Sequence, residues 1–206
     1  AENKTISYAE LDTGEKLFGR KIISNIHPAM TMNLLESGAV KESYRQRLQT
    51  LENGIAAFSL HLVFHPETFP YLNYNYYHHE SPDVWNAINY KKEQWPQTIM
   101  AITPASSRSE KYADSMTILT YMRWEEVEKW TDTFNTTPKH EMDRGEGYDE
   151  FKADRTERIM SVVENIFPGI RTKVRSYHTS TPLSYRDYIA TPNGSIVLLT
   201  NLAQDP

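Results

Sequence analysis

Ala56-Ala-Phe-Ser-Leu-His-Leu-Val-Phe-His65 carries the plainest structural signal in this chain. Ala56, Phe58, Leu60, Leu62 and Phe64 alternate with Ala57, Ser59, His61, Val63 and His65. Side chains two apart share a face of a strand, so this period predicts a strand with one buried face and one more polar face. Further strands are expected at Tyr71–His79, rich in Tyr and Asn, at Thr98–Thr103, at Met116–Met122 and at Ile170–Ser180. Upstream, Lys4–Leu11 and Lys16–Asn25 read as a pair joined by the turn Asp12-Thr13-Gly14.

Helical signals fall between these strands. Pro28 suits a first helical turn, with Met30, Leu34 and Leu35 on its apolar side and Gly38 ending it. A second helix is expected over Lys41–Leu51, and Trp124–Trp130 begins one that Asn135-Thr-Thr-Pro138 breaks. Lys139–Gly147 is charged and reads as a disordered loop. The longest helix, about Tyr148–Phe167, lines one face with Phe151, Ile159, Val162, Val163 and Ile166. Pro182 and Pro192 bracket a brief helix or ordered turn. The pattern predicts an α+β domain: a mixed, largely antiparallel sheet of about five or six strands, with helices packed on one side.

At 206 residues the chain has room for one substantial domain, or one domain with part of another. A net charge of −5 argues against nonspecific nucleic-acid binding, which depends on neutralising phosphates. No apolar run approaches the length of about 18 residues that a membrane span needs. The absence of cysteine excludes disulfides and thiolate chemistry, and fits the cytoplasm.

Few residues offer chemistry of their own. His61 and His65 would suit a metal on a helix, but on a strand they stand about 13 Å apart, too far to share an ion. His78 and His79 point to opposite faces, so no metal site is expected. Ser59, Ser180 and Ser195 lie outside any Gly-x-Ser-x-Gly elbow. In the aromatic strand, Leu72, Tyr74, Tyr76 and His78 share one face, and Asn73, Asn75, Tyr77 and His79 share the other. Its tyrosines read either as half-buried core or as the wall of a long apolar pocket. Arg171, Lys173 and Arg175 form a row on the last strand, either solvated or facing an acidic group. Arg186 and Asp187 are adjacent and need not pair, each able to cap or bridge near the short helix.

Three segments carry a resemblance. They are YHTSTPLSYRDYIATPNGS (Tyr177–Ser195), LDTGEKLFGRKIISNIHPAMTMNLL (Leu11–Leu35) and YRQRLQTLENGIAAFSLHLVF (Tyr44–Phe64). In order and spacing they resemble the FAD-dependent oxidoreductases of the phytoene dehydrogenase, carotenoid isomerase and retinol saturase type. That resemblance implies residues 1–27 as a hairpin and strand remnant of a flavin domain, 28–195 as a substrate-binding α+β domain, and 196–206 as a truncated or divergent tail. Val197-Leu198 stands where the family has Tyr-Gly, and Ala1 is not an initiator Met, so a piece of a larger enzyme is expected.

No GxGxxG occurs, and Gly145-Glu-Gly147 lies among acids that would repel phosphate. The piece is therefore expected to hold no FAD and to be inactive alone, the flavin of the intact parent performing the chemistry. The resemblance puts Ser24, Asn25 and His27 near the parent's flavin groove. It puts Tyr74 and Tyr76 along the cavity wall, and His178, Thr179, Thr181 and Tyr185 near its mouth. No catalytic residue is assigned. The implied ligand is an extended apolar, retinoid- or carotenoid-like molecule, with peripheral membrane contact of the parent and a homodimer as further expectations. The alternative is a stand-alone lipid- or partner-binding α+β module without catalysis.

Overall fold

The computed structural model describes residues 5–36, 38–50, 53–135 and 143–196. They group into two compact units that part between positions 52 and 53. The boundary expected at 27/28 falls inside the first unit.

In that unit β1 (Tyr8–Glu10) and β2 (Lys16–Phe18) pair antiparallel, with Tyr8 opposite Phe18. Both strands are shorter than expected, because a lone two-stranded ribbon is marginal and Gly19-Arg20-Lys21 has nothing to bury. Helix α1 (Pro28–Leu34) is capped by His27, whose Nδ1 accepts from the Ala29 N–H at 3.2 Å. Helix α2 (Glu42–Thr50) returns to α1: Arg45 donates to the carbonyls of Met32 and Leu35, and Gln49 to Asn33 Oδ1 at 3.0 Å. These bonds hold α1 and α2 together within the first unit. The expected last residue of α2, Leu51, lies outside the described residues.

The second unit contains β3 (Ala56–Phe64), β4 (Tyr76–His79), β5 (Thr98–Ile102), β6 (Ser115–Met122), α3 (Glu146–Ile166), β7 (Val174–Ser180) and α4 (Pro182–Ile189). The sheet order is β4-β5-β6-β3-β7, and every pair is antiparallel. The α+β expectation holds, without a parallel pair among the described residues. β6 and β7 both run against β3 and flank it, so α3 carries the chain from one side of β3 to the other across one face of the sheet.

Three local expectations change. The strand expected from Tyr71 begins only at Tyr76, because Thr103 Oγ1 bonds both the N–H (2.9 Å) and the C=O (3.0 Å) of Leu72 and replaces the ladder there. The helix expected at Trp124–Trp130 is two 3₁₀ turns, Trp124–Glu126 and Glu128–Trp130. Ile170–Lys173 is also a 3₁₀ turn, so the row of cations does not form. Arg171 instead pairs with Glu157 at 2.6 Å, and the Lys173 ammonium lies 5.5 Å from the centre of the Phe69 ring. Of the loop expected at Lys139–Gly147, residues 139–142 lie outside the described residues, and Glu146-Gly147 open α3.

The core lies under α3. Phe58, Leu60 and Leu62 of β3 are buried beside Ile99, Ala101, Met116, Ile118 and Met122 from the neighbouring strands, and α3 sets Ile159, Met160 and Val163 against them. Arg155 falls on the same helical stripe, four before Ile159, and is 1% exposed. Its guanidinium meets Glu126 Oε2 at 2.6 Å, and Glu126 Oε1 accepts from the Tyr90 hydroxyl. Burial first, then that bond to Glu126, pushes the Tyr90 phenol well above its usual range.

Candidate functional site

Among the described residues of the second unit, no helix runs the length of the opposite face of the sheet. Register defines its members, since directly opposed residues share a face. One row across the strands is Tyr77, Met100, Leu119, Ser59 and Ser180. The next is Ile102, Thr117, His61 and His178. Flanking them are His79 with Thr98, Tyr121 with Ala57, and Ser115 with Val63 and Ser176. None of these positions carries Asp, Glu, Lys or Arg, in a chain of which 24% is charged. A sheet face turned to water in an antiparallel protein is ordinarily polar and charged. This one is apolar and hydroxyl-bearing with histidines, and Val63, Met100, Ile102, Leu119 and Tyr121 remain half-exposed on it.

Helix α4 closes one corner of the face. Thr181 caps it through the Leu183 N–H (3.2 Å), while Ser184 Oγ accepts from the Thr181 N–H (3.1 Å). The Tyr185 hydroxyl then lies 2.6 Å from Ser59 Oγ, and Ser59 is buried. Beyond α4, Gly194 passes so close to Pro182 that a Cβ there would overlap its carbonyl, and Ser195 forms a bridge with Ala56. The Thr-Pro-Leu-Ser and Thr-Pro-Asn-Gly-Ser wording therefore encodes a pinned lid over the start of β3.

The residues singled out from sequence scatter around this face. Tyr185 and His178 reach it. Thr181 is fully buried as the cap of α4, its hydroxyl 2.8 Å from that of Tyr148. Thr179 points to the α3 side, where Tyr177–Thr179 line a polar cleft of about 390 Å³ with Asp149, Lys152, Ala153 and Thr156. Tyr76 also lies on the α3 side, its ring 5.5 Å from Phe167, and Tyr74 sits in an exposed loop. Tyr77, one residue on, is the tyrosine that faces outward, because a shift of one position reverses the face. The sequence relates His61 to its own strand and to His65, whereas strand register sets it opposite His178, and no local pattern reveals a pairing across β3 and β7. A usable signal was nonetheless present: Thr98–Ile102 and Ser115–Met122 lack charges at both sets of alternating positions, as strands covered on both faces do.

Ser24, Asn25 and His27 belong to the first unit. Ser24 Oγ is 2.6 Å from Thr31 Oγ1 and lines a groove of about 450 Å³ with Ile22, Leu34 and Leu35. Asn25 is exposed, and His27 is spent as the cap of α1. A flavin pyrophosphate needs a glycine turn leading into a helix N-terminus. The turn into α1 offers His27 and Pro28, bulky and lacking one N–H, so these residues do not fit that group.

Burial, and then the neighbouring His178, hold the His61 imidazole below its usual titration range. No group of three or more His, Cys, Asp or Glu able to hold a metal occurs among the described residues, and none of their helices is long and apolar enough to cross a membrane. Comparison with protein-family models, curated proteins and solved structures returns no match.

Proposed function

We propose that the second unit is the substrate-binding part of an FAD-dependent oxidoreductase acting on carbon–carbon bonds of an extended apolar, retinoid- or carotenoid-like molecule. The observation that carries this reading is the open sheet face, free of formal charges apart from histidine and closed at one corner by α4. Such a face suits a long hydrocarbon laid across the strands, with hydroxyls orienting a few polar groups. The flavin and its cradle come from residues beyond this chain, and the flavin supplies the hydride chemistry. The chain's own part is to bind, orient and keep water from the ligand. The absence of cysteine supports a cytoplasmic setting.

Purified alone, the chain should quench its tryptophan fluorescence on titration with retinol or a short carotenoid. Leu119→Glu, a charge at a half-exposed position, should weaken that binding by about tenfold or more while the melting temperature holds. Retinol binding unchanged in Leu119→Glu would remove the face from consideration. The preparation should show no flavin absorbance near ~450 nm and no turnover, and a yellow protein with stoichiometric FAD would overturn the assignment. The compactness of the second unit also suits a stand-alone lipid-binding module. A glycine-rich dinucleotide turn encoded upstream selects the enzyme.

A further inference from the structure

The polar centre of the open face is a pair of imidazoles. His61 and His178 are directly opposed on β3 and β7, and Thr117 opposes His61 from β6. Opposed residues of an antiparallel pair hold their Cβ atoms about 4.5–5.5 Å apart, so both rings can reach one small group. Thr117 Oγ1 lies 3.2 Å from His61 Nδ1, which orients the His61 ring and directs Nε2 away from β6. Around His61 stand Ser59 and Val63 of its own strand, Thr117 of β6, His178 of β7, and Tyr185 of α4 through its bond to Ser59. No carboxylate is among them. On the α3 side, Asp149 and Lys152 line the polar cleft that His178 also borders, and they pair with each other at 2.8 Å. Two imidazoles that repel each other as cations, with no carboxylate on their own face of the sheet, are complementary to an anion.

We propose that His61 and His178 receive the carboxylate of a long-chain apolar acid whose tail runs from β7 across Leu119 and Met100 toward Tyr77. This rests on the open face being a ligand wall, as argued above. Strands are spaced about 4.8 Å apart, so the path from β7 to β4 covers about 19 Å, enough for a chain of fatty-acid length. The carboxylate accepts an N–H from each ring and cancels their mutual repulsion. An alcohol or an ester gains only neutral hydrogen bonds.

The test compares cis-parinaric acid with its methyl ester by fluorescence titration of the full chain at about pH 6 and about pH 8.5, on either side of the usual imidazole range. The acid should bind about tenfold more tightly than the ester at the lower pH and lose that advantage at the higher. His178→Gln, at an exposed position, should bring the acid down to the affinity of the ester and leave the ester unchanged, with an unaltered circular dichroism spectrum as the check on folding. Equal binding of acid and ester by the unmodified chain, or an acid preference that survives His178→Gln, overturns the carboxylate assignment and leaves the ligand wall standing. Failure of both probes to bind at either pH overturns the two together.

Discussion

Gly194 stands where no other residue fits. Its φ of +62° is left-handed, and a methyl group would press into the Pro182 backbone. Gly169 has a similar φ of +79° but open space around it. Gly194→Ala should therefore cost about 3 kcal/mol or more, from overlap added to backbone strain, and Gly169→Ala only about 1–2 kcal/mol, both read by chemical denaturation. Equal losses would mean that the close approach to Pro182 is unimportant. Ser59 and Tyr185 make a second pair at this corner. Tyr185→Phe leaves the buried Ser59 hydroxyl without its partner and should cost about 1–2 kcal/mol, which Ser59→Ala in the same chain should largely restore. The folded His61 has a lowered pKa, so its stabilising share is present above its unfolded value and is lost as pH falls through the folded one. Proton NMR should find its midpoint below about 6.5, and stability should decline on acidification through that region.

Helix α4 is held by more than its caps. The Asp187 side chain is 0% exposed, and it pairs with Arg144 and Arg186 and accepts from the Asn135 N–H at 2.9 Å. Arg186 also donates to the carbonyls of Thr131 and Thr133, tying the helix to the segment after the 3₁₀ turns. Adjacency alone does not require Arg186 and Asp187 to pair, but here they make one clamp, with Arg186 Nε 2.7 Å from Asp187 Oδ1. Asp187→Asn strands buried guanidinium charge and should cost about 3–5 kcal/mol. Hydrogen exchange should then speed in α4 before it does in β3 or β6, whereas uniform acceleration would count against a local clamp. Among the strands, β3, β5 and β6 were legible because alternation or short apolar runs bounded them. The start of β4 was not, since the Thr103 side chain that displaces its ladder lies 31 positions from Leu72.

The division at 52/53 sets the largest unit of folding. All of the sheet, the core cluster under α3 and the open face lie on the C-terminal side of it. Residues 53–196 should fold without the first unit, giving one cooperative urea transition with the fluorescence and far-UV signals coincident. Loss of cooperativity would show that the core is incomplete without residues 1–52. The exposed apolar rows carry a second consequence, because patches of this kind ordinarily meet a ligand or partner. Concentration-dependent association that bound retinol or parinaric acid suppresses would identify the open face as the sticky one.

Periodicity was enough to define the α+β class, the long helix and the inward residues of β3, because each depends on spacings of two to four residues along one segment. Pro182 and Pro192 likewise bracket a brief helix or ordered turn in the sequence, and α4 fills that interval. What the residues could not disclose was who stands opposite whom. His61 beside His178, Ser59 beneath Tyr185 and Arg155 against Glu126 join positions far apart in the chain, and Tyr76 and Tyr77 exchange faces on a shift of one residue. Strand register and the route of α3 across the sheet settle those pairings, and they arise from burying the whole core at once.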